Sequence, residues 1–329
     1  MDKLLIRGSN SFAGASFCNS ALNNNYQVLG INRSPETSSI FLPVLENKNN
    51  KNYEFIQADI NKDIDLILKK IGEYEPNFIV DFAGQGMVAE SWDNPDQWYQ
   101  TNIVAKSKLH KYLIGKTFLK RYVRISTPEV YGSNENLIDE TFNMNPSTPY
   151  AISHMATDLS ILALHKNFNF PAVIGRFANF YGPHQQLYRI IPKTIISILT
   201  SKVLSLHGGG KSVRAFIHAE DVSNAIFKMM HIGDEGEVYH FSPKEFYSIK
   251  DIVMTICDDL GADFDTSISN TPDRAGKDFA YLMDSSKSLN KLQWSPKITL
   301  HQGISETVMW VKNNLDEINK LSLDYKHKE

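Results

Sequence analysis

Cysteine is scarce in this chain of 329 residues: Cys18 and Cys257 are the only two. That excludes a disulfide framework and a cysteine-built zinc cluster, and no metal site is expected. Long apolar runs are missing too, and none approaches the roughly 20 residues that a membrane-spanning helix needs. Charge of one sign is not in excess, since 34 Lys and Arg against 37 Asp and Glu leave a formal net charge of -3. This balance gives no electrostatic case for nucleic acid or an anionic membrane. The first residues, "MDKLLIRGSNSFAG", go directly into a strand-like run without a secretory pattern, so a cytoplasmic protein is the expectation. What is present is ordinary for a globular fold, 42% hydrophobic and 22% charged residues, over a length that can bury a sizeable core.

The first half alternates short apolar runs with helical patterns, the signature of βα units and a parallel sheet. Strands are expected at 4–7, 26–32, 53–59, 77–84 and 120–127, with a sixth opening "PAVIGRFANFYGP" at 171–183. Helices are expected at 11–24, 96–116 and 148–168. The rhythm then changes to a helix over 188–202, interrupted near its start by Pro192, and a glycine run at 207–212. A strand feeding a helix follows at 213–230. Ile304, Val308, Val311, Leu315 and Ile318 recur at helical spacing, which predicts an amphipathic helix over about 300–319.

Two stretches carry chemistry. In "IRGSNSFAG", Gly8 and Gly14 lie between the first strand and first helix, where backbone N–H groups and a helix N-terminus can receive a pyrophosphate. Ser11 stands where a middle glycine would be expected, next to Phe12. The second strand ends in Asn32-Arg33-Ser34, with no carboxylate for the adenosine ribose. A cation and neutral donors there favour NADP over NAD. Asp59 and Ile60, after the third strand, are placed to meet an adenine, although Asp59 could equally cap the next helix. In "PSTPYAISHMATD", Tyr150 and His154 are four residues apart on one helical face, a phenol beside an ionisable partner.

Together with "STPEVYGS" (126–133), "TNIVAKSKL" (101–109), "FANFYGPHQQLYRIIP" (177–192), "GGGKSVRAFIHAEDV" (209–222) and "PDRAGKDFAYLMD" (272–284), these stretches give a resemblance over nearly the whole chain. It resembles the extended short-chain dehydrogenase/reductases, specifically the nucleotide-sugar 4,6-dehydratase and epimerase group. The resemblance implies a Rossmann-type doubly wound parallel sheet with a smaller C-terminal α/β substrate domain. Residues 1–176 plus about 213–245 would hold the dinucleotide, NAD or NADP. Residues 177–212 plus 246–329 would hold the nucleotide sugar. It further implies a homodimer through the helices near 96–116 and 148–168.

The resemblance also assigns roles. Tyr150 would take a proton from a sugar hydroxyl whose hydrogen bond Thr127 shares. His154 stands where the family has a lysine that bonds the nicotinamide ribose. A histidine there could donate to that ribose and, when protonated, favour the phenolate, so tyrosine activation would depend more on pH. Glu129 matches the glutamate that removes the C5 proton in 4,6-dehydratases. Pro128 stands where one branch has a general acid, which would leave Glu129 to assist the leaving hydroxyl as well. Gln85 and Ser91 fall in the loop that meets the sugar. Asn179, Arg189, Arg214 and Arg274 match positions that hold the diphosphate, for which the arginine fork is suited. The implied reaction is dehydration of a nucleotide-diphosphate sugar. A 4-epimerase or UDP-glucuronate-type decarboxylase of the same fold, and a catalytically silent NAD(P)-binding protein, are the alternatives.

Overall fold

The computed structural model describes residues 1–141, 143–272 and 279–328. At its centre lies a seven-stranded parallel sheet built from β1 (Lys3–Arg7), β2 (Gln27–Asn32), β3 (Tyr53–Gln57), β4 (Phe78–Asp81), β5 (Arg121–Ser126), β6 (Ala172–Phe177) and β7 (Val238–Phe241). Their order across the sheet is β7-β6-β5-β4-β1-β2-β3. The chain therefore winds outward one way through β3 and the other way from β4. The reversal between β1 and β4 opens a crevice at the carboxyl ends of the strands, where α/β sheets bind ligands. The α/β architecture expected from the βα rhythm is present.

Helices cover both faces, which is why the strands read as nearly continuous apolar runs. Alternate residues serve opposite faces. Leu4 and Ile6 of β1 pack with α1 (Phe12–Asn23) and α7 (Ala219–Ile232) through Phe17, Leu22, Ile226 and Met229. Leu5 packs on the other side with α2 (Ile64–Tyr74), α4 (Lys106–Leu113) and α5 (Pro149–Phe168) through Ile67, Ile71, Leu109 and Ile161. Helix α2 was not among the expected helices, and it carries Ile64, Ile67, Leu68 and Ile71 on one face. The helix expected over 96–116 is instead α3 (Pro95–Tyr99), a π-helical turn (Gln100–Ala105) and α4 in unbroken succession.

A smaller unit gathers α6 (Ile190–Leu199), α8 (Ile249–Leu260) and the helix Leu300–Asn313 around Ile195, Ile252, Ile256 and Ile304. The terminal helix is shorter than its apolar spacing suggests, stopping at Asn313 before a separate turn, Leu315–Ile318. Its start is fixed by a capping box between Thr299 and Gln302. After the excursion through α6, α7 returns to pack on α1, and β7 pairs with β6 at the sheet edge. Among the described residues no helix is long and apolar enough to cross a membrane.

Candidate active site

The turn after β1 is shaped by two glycines. Gly8 has φ +79°, and a Cβ on it would lie 2.8 Å from Ala83 N. A Cβ on Gly14 would lie 2.1 Å from Gly8 O, so any side chain there would push α1 off the turn. Ser11 is the N-cap of α1: its hydroxyl donates to Gly8 O at 2.7 Å and accepts from Gly14 N–H at 3.1 Å. Its backbone N–H also goes to Gly8 O. Ser11 therefore helps build the cradle as the cap of α1, its hydroxyl and backbone N–H both engaged with the turn. Phe12 is buried in the first turn of α1.

A cavity of about 110 Å³ at the carboxyl ends of β1, β2 and β4 brings Gly8, Ser11, Asn32, Arg33, Asp59, Ile60 and Gln85 together. Arg33 reaches across it, donating to Gln85 Oε1 at 3.1 Å and to the carbonyl of Lys328 at 3.0 Å. Asn32 donates to Ser34 O, and the Ser34 hydroxyl accepts from Lys328 Nζ. One Asp59 oxygen accepts from Asn61 N–H, closing a turn ahead of α2, whose N-cap is Asp63. The segment 325–328 thus crosses the cavity mouth, with His327 stacked on Trp98 at 5.4 Å. Nothing in the sequence marked that segment as part of the site.

A glycine cradle free of Cβ atoms, a helix N-terminus and a cavity lined by Arg33 and Asn32 fit a dinucleotide. Gly8, Gly14, Asn32, Arg33 and Ser34 would hold it. Gln85 is fixed from below, because buried Asn102 of the π-helical turn accepts from Gln85 N and donates to Gln85 O and Ser153 Oγ.

The chemical groups stand beside this cavity. Thr127 leaves β5 and caps a short 3-10 turn, Pro128–Tyr131, accepting from Glu129 N–H at 3.3 Å. Pro128 occupies the first position of that turn, where a missing N–H costs nothing. Thr148 caps α5 by accepting from Ala151 N–H, with Pro149 at its first position, so Tyr150 sits in the first turn. The rings of Tyr150 and His154 have centroids 4.5 Å apart. Burial and the Glu129 carboxylate push the Tyr150 phenol up, while a hydrogen bond with Thr127 and the Arg124 and Arg189 cations pull it down.

His154 does not behave as a protonated activator. Its Nδ1 lies 2.9 Å from Arg124 Nη2. Burial, then Arg124 and Lys106, hold its pKa well below the usual histidine range. Burial and the neighbouring cations disfavour the protonated His154 that could have favoured the phenolate, and the nearby cation is Arg124.

Arg124 belongs to a buried charge network that the sequence reading missed. Asp81 pairs with Arg7 at 3.2 Å and Lys106 at 3.0 Å. Asp158 pairs with Arg176 at 3.1 Å and accepts from Ser126 Oγ at 2.8 Å, with Arg124 Nε at 3.7 Å. Burial, outweighing the pull of Asp81, lowers Lys106 to about 7. Charged residues inside otherwise apolar strand runs were the available signal, as in "LLIR", "FIVD", "RYVRIS" and "AVIGRF".

The substrate-side expectations divide. Ser91 is fully buried, its hydroxyl donating to Val88 O and accepting from Tyr150 N–H, so it anchors α5 to the loop after β4. Contact between that hydroxyl and a sugar is corrected accordingly. Arg189, exposed at the N-cap of α6, lies over the Tyr188 ring and near enough to lower the Tyr150 pKa. Asn179 is exposed on the strand Asn179–Tyr181. Arg214 turns its guanidinium to Val213 O and Phe279 O and over the Tyr281 ring at 4.2 Å. It is positioned by backbone in this structure. Arg274 lies outside the described residues.

Comparison with known proteins bears on the whole chain. The family model described as GDP-mannose 4,6 dehydratase matches residues 5–307. A Streptomyces niveus protein named dTDP-glucose 4,6-dehydratase is 30% identical, the match covering 95% of this chain and 93% of that one. The dTDP-glucose 4,6-dehydratase structure from Bacillus anthracis, in complex with NAD, superposes with TM-score 0.86 at 28% identity, covering 96% of this chain and 98% of that one. That of Streptomyces venezuelae, also with NAD bound, gives 0.88 at 27% identity with the same coverage.

Proposed function

This chain belongs to the GDP-mannose 4,6-dehydratase family, and we propose that it acts as a nucleotide-diphosphate-sugar 4,6-dehydratase. The observation that carries this reading is the clustering of Thr127, Glu129 and Tyr150 in a fold whose glycine cradle and helix N-terminus suit a dinucleotide. Two capped turns hold these residues, and Glu129 lies close enough to raise the phenol's pKa.

A bound nicotinamide dinucleotide would supply a hydride acceptor for C4 of the sugar and a hydride donor for C6. Tyr150 takes the proton of the C4 hydroxyl, and Thr127 holds that hydroxyl in place. The resulting ketone makes the C5 proton removable, and Glu129 is the carboxylate stationed to take it. Loss of the C6 hydroxyl as water needs a proton. Pro128 has none to give, so Glu129 returns the one it has taken. Arg189 and Asn179 receive the diphosphate, a role the resemblance also gives to Arg214 and Arg274. Gln85, which the resemblance assigns to the sugar, has its side chain engaged with Arg33 and the Lys328 carbonyl.

The cofactor is a nicotinamide dinucleotide. Asn32-Arg33-Ser34 offers a cation and neutral groups and no carboxylate, which supports NADP as the preferred form. The dinucleotide unit is assigned to 1–176 plus about 213–245, and the sugar-nucleotide unit to the remainder. Exposed Val104, Ile152 and Leu159, on the π-helical turn and α5, support a homodimer through the helices near 96–116 and 148–168. A cytoplasmic location fits this chemistry.

Rapid mixing of the dinucleotide-loaded protein with nucleotide sugars tests the reading. Transient absorbance of reduced nicotinamide is expected; its absence with every nucleotide sugar offered would exclude this reaction.

A further inference from the structure

Tyr150 needs a positive neighbour to ionise, because a phenol's ordinary pKa of about 10 leaves it a poor base near neutrality. Its neighbour along α5, His154, is held neutral. The question is where the charge comes from.

We propose that Arg124 is the positioning residue of this site, locking His154 as a neutral Nε2–H donor from beneath and serving in its place as the cation next to Tyr150. The inference rests on reading Tyr150 as the group that deprotonates the sugar.

A guanidinium has donors and no acceptor. The 2.9 Å contact between Arg124 Nη2 and His154 Nδ1 therefore fixes the ring nitrogen's lone pair on Nδ1. The proton must sit on Nε2, leaving a donor on the other side of the ring, which suits a ribose or sugar hydroxyl. Arg124 can hold this orientation because its side chain is about 1% exposed and it is seated between β5 and α5. Its neighbours in sequence, Val123 and Ile125, pack into the opposite face of the sheet.

The charge on Arg124 is poorly cancelled. The nearest carboxylate, Asp158, is 3.7 Å from Nε and already closes a 3.1 Å pair with Arg176. Asp81 is paired with both Arg7 and Lys106. Three guanidiniums, Arg7, Arg124 and Arg176, thus face two carboxylates in this buried network, and Lys106, lowered to about 7, adds only part of a charge. On the upper side Glu129 opposes phenolate formation and Arg189 favours it. His110, from α4, is kept neutral by burial and adds no charge. Titration of His154 is then unnecessary for activity near neutral pH.

Histidine-selective 15N NMR reads the tautomer directly, with the His154 signals identified by their loss in His154→Gln. A protonated Nε2 and a hydrogen-bonded, unprotonated Nδ1 are expected, with shifts constant through the neutral range. In Arg124→Met the ring's pKa is expected to rise, with burial and Lys106 still holding it below the ordinary value. The acid limb of the kcat profile should rise by about one pH unit. Arg124→Lys, which keeps the charge, should restore part of both. A wild-type His154 that titrates near neutrality, or carries its proton on Nδ1, overturns the proposal without any variant having to fold. So does an unchanged tautomer and pH profile in folded Arg124→Met. If wild-type protein turns over no nucleotide sugar, the dehydratase reading fails, while the tautomer and its titration still decide the role of Arg124.

Discussion

The rings of Tyr150 and His154 lie with centroids 4.5 Å apart and planes inclined by 44°. This contact pairs a phenol with a neutral imidazole on one face of α5. The phenol oxygen is the only part of that pair assigned a proton-transfer role. Tyr150→Phe keeps the ring contact and removes the oxygen. Turnover is expected to fall by about 10²–10⁴-fold, with nucleotide-sugar binding nearly unchanged by calorimetry. Retention of most activity would remove Tyr150 from the mechanism.

Glu129 separates the two halves of the reaction. In Glu129→Gln the Tyr150 and Thr127 groups remain, so oxidation at C4 continues while proton loss from C5 stops. Reduced nicotinamide is expected to persist after mixing with substrate, where wild type shows only a transient. Removing the carboxylate also removes a cause of the raised Tyr150 pKa. Hydride transfer in the variant should therefore begin at lower pH.

Acid stability follows from the buried histidines. His110 and His240 are each pushed down to about 3 and His218 to about 4, chiefly by burial, and His154 is depressed as well. The unfolded chain takes up protons first, at about 6.5. Stability is thus complete above that value and falls as pH drops toward the folded-state values. The loss reaches about 2 kcal/mol per fully buried ring by about pH 5. Thermal unfolding across this range should show a falling Tm. His240→Gln should flatten the slope by roughly one proton's worth, and an unaltered slope would show that the ring is not held neutral.

Arg33 decides the cofactor preference. In Arg33→Ala the cation is lost from the cavity lined by Asn32, and affinity for NADP⁺ should drop about tenfold or more while NAD⁺ binding changes little. A salt-bridge-like contact to a 2′-phosphate contributes at least the ~1.4 kcal/mol that this factor represents. Equal losses for both dinucleotides would make Arg33 a general contact and remove the case for NADP.

Much of this site was legible because its parts are local. Thr127 and Glu129 lie within three residues, Tyr150 opens a helix that Thr148 and Pro149 announce, and Gly8 and Gly14 bracket a strand-to-helix turn. The charge network was not legible as a network. Arg7, Asp81, Lys106, Arg124, Asp158 and Arg176 come from six elements, and the reversal of strand order makes β1 and β4 neighbours. A strand pattern shows that a charge is out of place and not which charge answers it. Ser91 was assigned to the wrong partner for a related reason. A hydroxyl in the loop after a strand can face a ligand or a backbone N–H, and here the first turn of α5 reaches it. The segment 325–328 has no periodicity, and its contacts with Arg33, Gln85 and Trp98 arise only from the path of the folded chain.

The most direct test of the central claim is the mass of the product. Purified protein with NADP⁺ or NAD⁺ would be incubated with dTDP-, UDP-, GDP- and CDP-hexoses and read by mass spectrometry. A product lighter by one water, formed by wild type and not by Glu129→Gln, is the result predicted here. Loss of carbon dioxide from a uronic form, or an isomer of unchanged mass, would contradict elimination and move the site to decarboxylation or epimerisation.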